Sequence, residues 1–289
     1  MNDLSRFLVR AEALLTRVEA LLPAPPPVPD WQALAHRWLK RNGSGGLYPV
    51  KRPHRIRLED LQGIVEQKAG IVQNTRQFIA GRSANNVLLT GARGTGKSSL
   101  VKAVLNRFAP KGLRLIEVDK NDLTDLPQIV ELIEGRRERF IIFCDDLSFE
   151  ANEPGYKALK SVLDGSISGM PDNLLLYATS NRRHLMPEYM AENLETKHIG
   201  NEIHPSETVE EKISLSERFG LWLSFYPFDQ DHYLAICAHW LSEYGLNEHE
   251  VEAARGEALL WALTRSSRSG RSAWQFARDY AGRGRRKAR

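Results

Sequence analysis

The sequence predicts an α/β fold in three layers, with parallel strands between helices, a small all-α domain after them and an N-terminal helical appendage before them. Two observations support this prediction. Short apolar runs alternate with segments of helical spacing between residues 54 and 226, which is typical of parallel sheets. Beyond Pro227 the strand-like runs stop, and helical segments follow at 229–244, 248–265 and 272–281. The predicted units are 1–50 (appendage and linkers), 54–226 (core), 227–282 (helical lid) and 283–289 (basic tail).

The appendage is predicted from two stretches of helical spacing. Apolar residues alternate at spacings of four and three over about three heptads, at Leu4, Leu8, Ala11, Leu15, Val18 and Leu22. This helix either docks on the rest of the chain or associates with a partner, and the sequence leaves both open. A proline-rich run at 23–29 ends it. Residues 31–41 predict a second helix, with one face formed by Trp31, Leu34, Ala35, Trp38 and Leu39.

The core is predicted to contain five strands, at 86–90, 113–119, 139–146, 174–181 and 221–225. Helices are predicted at 57–79, 99–108 and 126–135, between or before them. The run R-F-I-I-F-C at 139–144 is almost continuously apolar, which indicates a strand buried on both faces, as parallel sheets require.

The most specific motif is G-A-R-G-T-G-K-S at Gly91–Ser98, which fits G-x-x-x-x-G-K-[ST] between a strand and a helix. Glycines let the backbone approach phosphates, and the helix N-terminus directs unpaired N–H groups towards them. Lys97 is predicted to reach the β- and γ-phosphates, and Ser98 to coordinate Mg²⁺. The motif predicts that the chain binds a nucleoside triphosphate through Gly91, Ala92, Arg93, Gly94, Thr95, Gly96, Lys97, Ser98 and Ser99.

Acidic and amide side chains end the next strands. Asp145 is predicted to hold Mg²⁺ with Ser98, and Asp146 to orient the attacking water. Asn181 would share that water or contact the γ-phosphate, or else it only forms a turn. Transition-state charge on the phosphoryl oxygens needs a fixed cation. The candidates are Arg218 and Arg271, with Arg182 and Arg183 as competitors and a plain surface role as the alternative for each.

The composition and charge of the chain limit the classes of protein to which it can belong. The net charge is +4, but the last eight residues carry five basic residues and no acid, so the rest of the chain has a charge of −1. The tail could bind nucleic acid or acidic lipid, or simply be solvated. Two cysteines cannot form a disulfide framework, and the six histidines from His184 to His249 are not spaced as metal ligands. No signal-peptide core or membrane-length apolar run occurs, so we expect a cytoplasmic protein.

Taken in order, these motifs resemble an AAA+ ATPase from about residue 54 to 282. The resemblance implies that 91–98 is Walker A, 140–146 Walker B and Asn181 sensor 1. It also implies that Arg271 is sensor 2 and that Arg218 is an arginine finger reaching the nucleotide of a neighbouring subunit in a homo-oligomer. Residues 58–63 resemble the segment that packs near adenine.

Longer blocks resemble one bacterial group of predicted ATPases, the domain-of-unknown-function family eight-fifteen. They are C-D-D-L-S-F-E, Y-K-A-L-K, Y-A-T-S-N-R-R-H-L and L-S-E-R-F-G-L-W-L-S-F-Y-P. This resemblance implies a mechanism but no biological process. Asp146 departs from AAA+ proteins, most of which have Glu there. The shorter side chain reaches about one methylene less far, so we expect water activation to be slower or geometrically different.

Three functions are compatible with this sequence. The first is an Mg²⁺-dependent ATP hydrolase that remodels a protein or nucleoprotein partner. The second is a slowly hydrolysing switch or loader that recruits a client through its N-terminal helices or its tail. The third is a DNA-acting factor that binds through the basic tail.

Overall fold

The computed structural model describes residues 3–21, 27–41, 43–149, 153–164, 170–181, 197–199, 202–204 and 216–283. A seven-stranded sheet forms the centre of the described chain. Its strands are β1 (Ala35–Arg41), β2 (Ser44–Pro49), β3 (Val87–Gly91), β4 (Leu113–Glu117), β5 (Arg139–Cys144), β6 (Leu174–Ser180) and β9 (Leu221–Phe225). A separate antiparallel pair consists of β7 (Lys197–Ile199) and β8 (Glu202–His204). The order in the large sheet is β2-β1-β4-β5-β6-β3-β9, and every neighbouring pair is parallel except β1 with β2.

Helices cover both faces of this sheet. They are α2 (Val65–Ile79), α3 (Lys97–Phe108), α4 (Leu126–Ile133) and α5 (Pro154–Asp164). The helix α1 (Asp3–Leu21) lies before them in the chain and is largely exposed. Side chains alternate along β3: Val87 and Leu89 pack in the cluster that includes α2 and α3, whereas Leu88 packs in the cluster that includes α4 and α5. Because the strands are buried on both faces, their sequences are almost continuously apolar. The predicted three-layer α/β fold is confirmed.

The prediction of a helix at 31–41 is wrong, because residues 35–41 form β1. The free edge of β4 supplies parallel backbone partners to Ala35–Arg37, and β2 pairs with the other side. Trp38 is buried, and its Nε1 donates a hydrogen bond to Asp125 Oδ2 at 2.8 Å. Its ring fills the space beside Gly45, where a Cβ would lie 2.1 Å from Trp38 Cζ2. Residues 35–49 therefore belong to the main sheet and not to a helical appendage.

The first helix, α1, exposes its apolar side chains. More than half of the side-chain surface is accessible at Leu4, Phe7, Leu8, Leu14 and Leu15. These residues are thus not docked on the body in this structure, and association with a partner stays a prediction. No helix in the described ranges is both long enough and apolar enough to cross a membrane.

The C-terminal helices form a small domain with its own core. They are α6 (Gln230–Glu243), α7 (Glu248–Ala253), α8 (Arg255–Thr264) and α9 (Gly270–Gly282). The helix predicted at 248–265 is divided into α7 and α8 at Ala254, which is fully buried in the core of this domain. This domain fits the predicted lid, because the Gly270 amide at the start of α9 donates to the Gly94 carbonyl at 2.8 Å.

Candidate nucleotide site

The Gly91–Ser98 loop leaves the end of β3 and leads into α3. Gly91 has a φ of 124°, and a Cβ there would lie only 1.9 Å from the Phe225 carbonyl oxygen. Gly96, directly before α3, also has a left-handed backbone, with a φ of 99°. Only glycine accepts both the conformation and the close approach, so the loop can bend beneath a ligand and direct it to the N-terminus of α3.

Lys97 lies at the base of this loop and is almost fully buried. Its Nζ donates hydrogen bonds to the carbonyls of Gly91 at 2.7 Å and Ala92 at 2.8 Å, and to Asn181 Oδ1 at 3.0 Å. Burial lowers the pKa of Lys97, and the carboxylates of Asp146 and Asp145 oppose that shift. The cation is thus held by three oxygens at the point where the loop meets the end of β6.

The carboxylate of Asp145 is fixed by two hydroxyl groups. Its Oδ1 accepts from Ser98 Oγ at 2.6 Å and from Thr179 Oγ1 at 2.6 Å. Ser98 and Asp145 offer adjacent oxygen atoms, which are the ligands that Mg²⁺ prefers, so these residues fit a divalent cation. Thr179 was missed in the sequence because it lies inside an apolar strand. Only the placement of β6 between β5 and β3 brings it to both acids.

Asp146 has a left-handed backbone, with a φ of 54°. Its amide donates to Thr179 Oγ1 at 2.9 Å, and its carboxylate accepts a hydrogen bond from Asn181 Nδ2. Asp and Asn enter this region more readily than other residues with a Cβ, because their short side chains can bond locally. The backbone at this position therefore offers a physical reason for Asp in place of Glu.

The candidate arginines separate into two groups. Arg271 lines the same cavity as the loop, and its Cβ would lie 3.8 Å from a Cβ built on Gly94. Arg218 does not line that cavity in its own chain. Its guanidinium forms an ion pair with Asp164. Arg182 and Arg183 lie outside the described residues.

The cavity above the loop has a volume of 650 Å³ and is enclosed by core and lid together. Its polar end contains Arg93–Ser99, Asp145, Asp146, Thr179 and Asn181, while Gly91 and Ala92 support Lys97 from below. The remaining wall includes His54, Ile56, Asp60, Leu61, Gln62, Ile64, Phe228, Ile236, Trp240, Gly270, Arg271 and Trp274. Aromatic and aliphatic side chains beside a polar end suit a ligand with a flat ring and an anionic group. Most of these wall residues belong to no sequence motif, so their place in the cavity could not be predicted from the sequence.

Two nearby groups are excluded from the chemistry. Burial raises the pKa of the Cys144 thiol to about 12, so it stays protonated and is neither a nucleophile nor a ligand. Asp60, His239 and Glu243 are grouped like metal ligands, but the Arg57 guanidinium contacts both carboxylates at 2.7 Å. This cluster joins the core to the lid.

The family comparison identifies this chain. The family described as "Protein of unknown function (DUF815)" matches residues 31–284. The chain belongs to this family. The match includes β1 and β2, so the strands that extend the sheet are part of the family's domain. No curated protein matches the sequence.

Two solved structures with TM-scores of 0.50 and 0.53 confirm the AAA+ fold at low identity. The ORC1 protein of Aeropyrum pernix in complex with DNA has a TM-score of 0.53 and 17% identity, covering 79% of this chain and 62% of that one. The AAA domain of FIGL-1 in complex with ADP has a TM-score of 0.50 and 18% identity, covering 79% and 73%. The RuvB Holliday junction branch migration motor of Thermotoga maritima has a TM-score of 0.46 and 17% identity, and this chain spans 63% of its length.

Proposed function

We propose that the chain is an ATPase that binds ATP with Mg²⁺, hydrolyses it at subunit interfaces and uses the cycle to remodel a protein or nucleoprotein partner. One observation carries this proposal: a buried lysine, two acids, a serine hydroxyl and an amide converge at the polar end of one cavity. The likeness to the ADP-bound FIGL-1 domain supports a nucleotide as the ligand.

Each side chain has a distinct task in this proposal. Lys97 binds the β- and γ-phosphate oxygens in place of its present carbonyl and amide partners. Ser98 and Asp145 would hold Mg²⁺, which neutralises charge on those oxygens when bound. Asp146 and Asn181, already hydrogen-bonded to each other, orient the attacking water, and Asp146 accepts its proton. Arg271 brings a cation from the lid.

We propose that Arg218 completes the site of an adjacent copy of the chain. Since Arg218 lies outside the cavity of its own chain, it can act on a nucleotide only across an interface. Its ion pair with Asp164 would hold the guanidinium in a defined position at the surface. A head-to-tail assembly places such a residue against the cavity of the next copy.

Mixing two inactive variants tests this arrangement. We expect Lys97→Ala and Arg218→Ala each to have little ATPase activity, with ATP binding retained in Arg218→Ala. An equimolar mixture should recover activity, because about one head-to-tail interface in four then combines an intact Lys97 with an intact Arg218. The measurement is steady-state phosphate release across a range of protein concentrations.

Arg37→Ala is the matched control for Arg218→Ala, because Arg37 is likewise an arginine in an ion pair with one acid, Glu117, at 3.2 Å. It should leave activity unchanged. Normal turnover by Arg218→Ala, or a mixture no more active than its two components, would show that Arg218 does not act across an interface.

We propose Thr179 as a positioning residue, because its hydroxyl donates to the Asp145 carboxylate and accepts from the Asp146 amide. It has no proposed catalytic role of its own. Thr179→Val keeps the shape and removes the hydroxyl, so kcat should fall about 10–100-fold while KM changes little. Thr179→Ser restores the hydroxyl and should recover most of the activity. Equal activity of the Val and Ser variants would contradict this role.

A second candidate function is a slowly hydrolysing switch that recruits a client through α1 or the tail. The short side chain of Asp146, where most AAA+ proteins have Glu, and the exposed apolar side chains of α1 favour it. Turnover of about 1–10³ per second without any partner would argue against it. Tight ATP binding with negligible turnover at every protein concentration would favour it over the first.

A further inference from the structure

A second cleft lies on the lid and is lined by residues of α9 and the end of α8. It has a volume of 660 Å³, and its lining includes Trp261, Arg265, Trp274, Gln275 and Arg278. Trp274 also forms part of the wall of the nucleotide cavity, so one side chain borders both spaces. The nucleotide site does not account for this cleft, and no motif in the sequence pointed to it.

The cleft contains arginines that lack an acidic partner. Among the described residues, no carboxylate forms an ion pair with Arg265 or Arg278, and both side chains are exposed. Arg283, at the edge, is different, because it contacts Glu257 at 2.6 Å and Asp279 at 2.7 Å. Asp279 also lines the cleft, but its carboxylate is paired with Arg283. The two unpaired guanidinium groups therefore make the cleft an anion-binding surface.

Both unpaired arginines lie against tryptophan rings. The Arg265 guanidinium carbon is 3.5 Å from the Trp261 ring centre, and that of Arg278 is 5.4 Å from the Trp274 ring centre. The Arg265 guanidinium is close enough to pack on its ring, whereas Arg278 lies farther from the Trp274 ring. A cation over an aromatic face is attracted by the ring, and a planar guanidinium can also offer a face for stacking and its edge for hydrogen bonds. Stacked aromatic and guanidinium planes beside positive charge suit unpaired bases on a phosphate backbone.

The charge of the lid is divided along its sequence. Residues 261–283 contain five arginines and one acid, whereas residues 229–257 contain seven acids and one arginine. The sequence then continues beyond the described residues with four further basic residues and no acid, at Arg285, Arg286, Lys287 and Arg289. The cleft therefore lies in the basic half of the lid, next in sequence to the basic tail.

We propose that this cleft binds single-stranded nucleic acid, with its phosphates on Arg265 and Arg278 and its bases stacked on the arginine and tryptophan planes. Charge alone would serve an acidic protein equally well. The paired rings and guanidinium planes favour nucleic acid, because stacking is useful only to a ligand with flat rings. This inference does not depend on ATP hydrolysis.

The test is fluorescence anisotropy with a labelled oligo-dT of about 20 nucleotides and the full chain, titrated at several salt concentrations. The double variant Arg265→Ala/Arg278→Ala should bind about tenfold more weakly at 0.1 M salt, and the slope of log K against log salt should fall by about 1.4. Arg255→Ala is the matched control, an exposed lid arginine in the acidic half that is 3.8 Å from Glu252. It should leave affinity and slope unchanged.

A charge-preserving variant separates stacking from charge. Arg265→Lys/Arg278→Lys should keep the wild-type salt slope but still bind several-fold more weakly, because an ammonium has no plane to stack. Thermal unfolding of each variant checks that the lid remains folded. Three results would overturn the proposal: no binding of oligo-dT by the wild type, unchanged affinity in the double alanine variant, or displacement of oligo-dT by poly-glutamate at equal charge. The last result would point to an acidic protein.

Discussion

Lys97→Ala should lower ATP turnover by about 10²–10³-fold or more, because it removes the buried cation that is hydrogen-bonded to the carbonyls of the phosphate loop. The same change should leave the fold intact. The variant loses three hydrogen bonds, but it also no longer has to bury a charged side chain, which is unfavourable. The measurements are phosphate release and thermal unfolding with and without ATP.

The control for this change is Lys111→Ala, an exposed lysine just beyond the far end of α3. In the wild type and in Lys111→Ala, saturating ATP should raise the free energy of unfolding by about 2.7 kcal/mol at 100 times Kd. In Lys97→Ala that stabilisation should be largely lost. Undiminished turnover by Lys97→Ala would contradict the assignment of the loop as the catalytic phosphate site.

Gly91→Ala should lower the free energy of unfolding by about 3 kcal/mol or more. Losses of this size are typical of backbone strain and of clashes in the core. Two causes act together at this residue. The φ of 124° is unfavourable for alanine, and the new Cβ would lie 1.9 Å from the Phe225 carbonyl oxygen. Because that oxygen belongs to the backbone of β9, relief requires the pairing of β3 with β9 to open. Chemical denaturation measures the loss.

Gly112→Ala separates these two causes. Gly112 also has a left-handed backbone, with a φ of 90°, but a Cβ there would meet nothing within 4 Å. It should cost only the conformational term, about 1–2 kcal/mol. If both variants lose the same stability, the close approach of Gly91 to β9 does not contribute, and the geometry described for the start of the loop is wrong.

The nucleotide site was largely predictable because its residues are contiguous or end adjacent strands. Gly91–Ser98 carries its own flanking strand and helix, so the local pattern was sufficient to place Lys97 at the start of α3. Asp145 and Asn181 end apolar runs, and parallel strands bring their carboxyl ends to one edge of a sheet. The structure places both side chains in the cavity.

Residues that act through distant partners were not predictable. Thr179 looks like any polar residue in a buried strand until β6 is placed between β5 and β3. Arg218 and Asp164 are 54 residues apart in the sequence, so no periodic pattern could predict their ion pair. The tryptophans of the lid belong to no motif, and only their positions reveal that Trp274 borders two cavities.

The sequence by itself determined the three-layer α/β class, the phosphate loop and the segments that form the strands carrying the acids. These features depend on apolar runs, glycines and polar strand ends, which act over a few residues. Tertiary structure alone decided that residues 35–41 form a strand. Their spacing also suits a helix, but burying Trp38 beside Gly45 and pairing with the free edge of β4 satisfy both the ring and the backbone. The strand pairs with residues about 80 positions away in the sequence, so a pattern that covers a few residues cannot predict it.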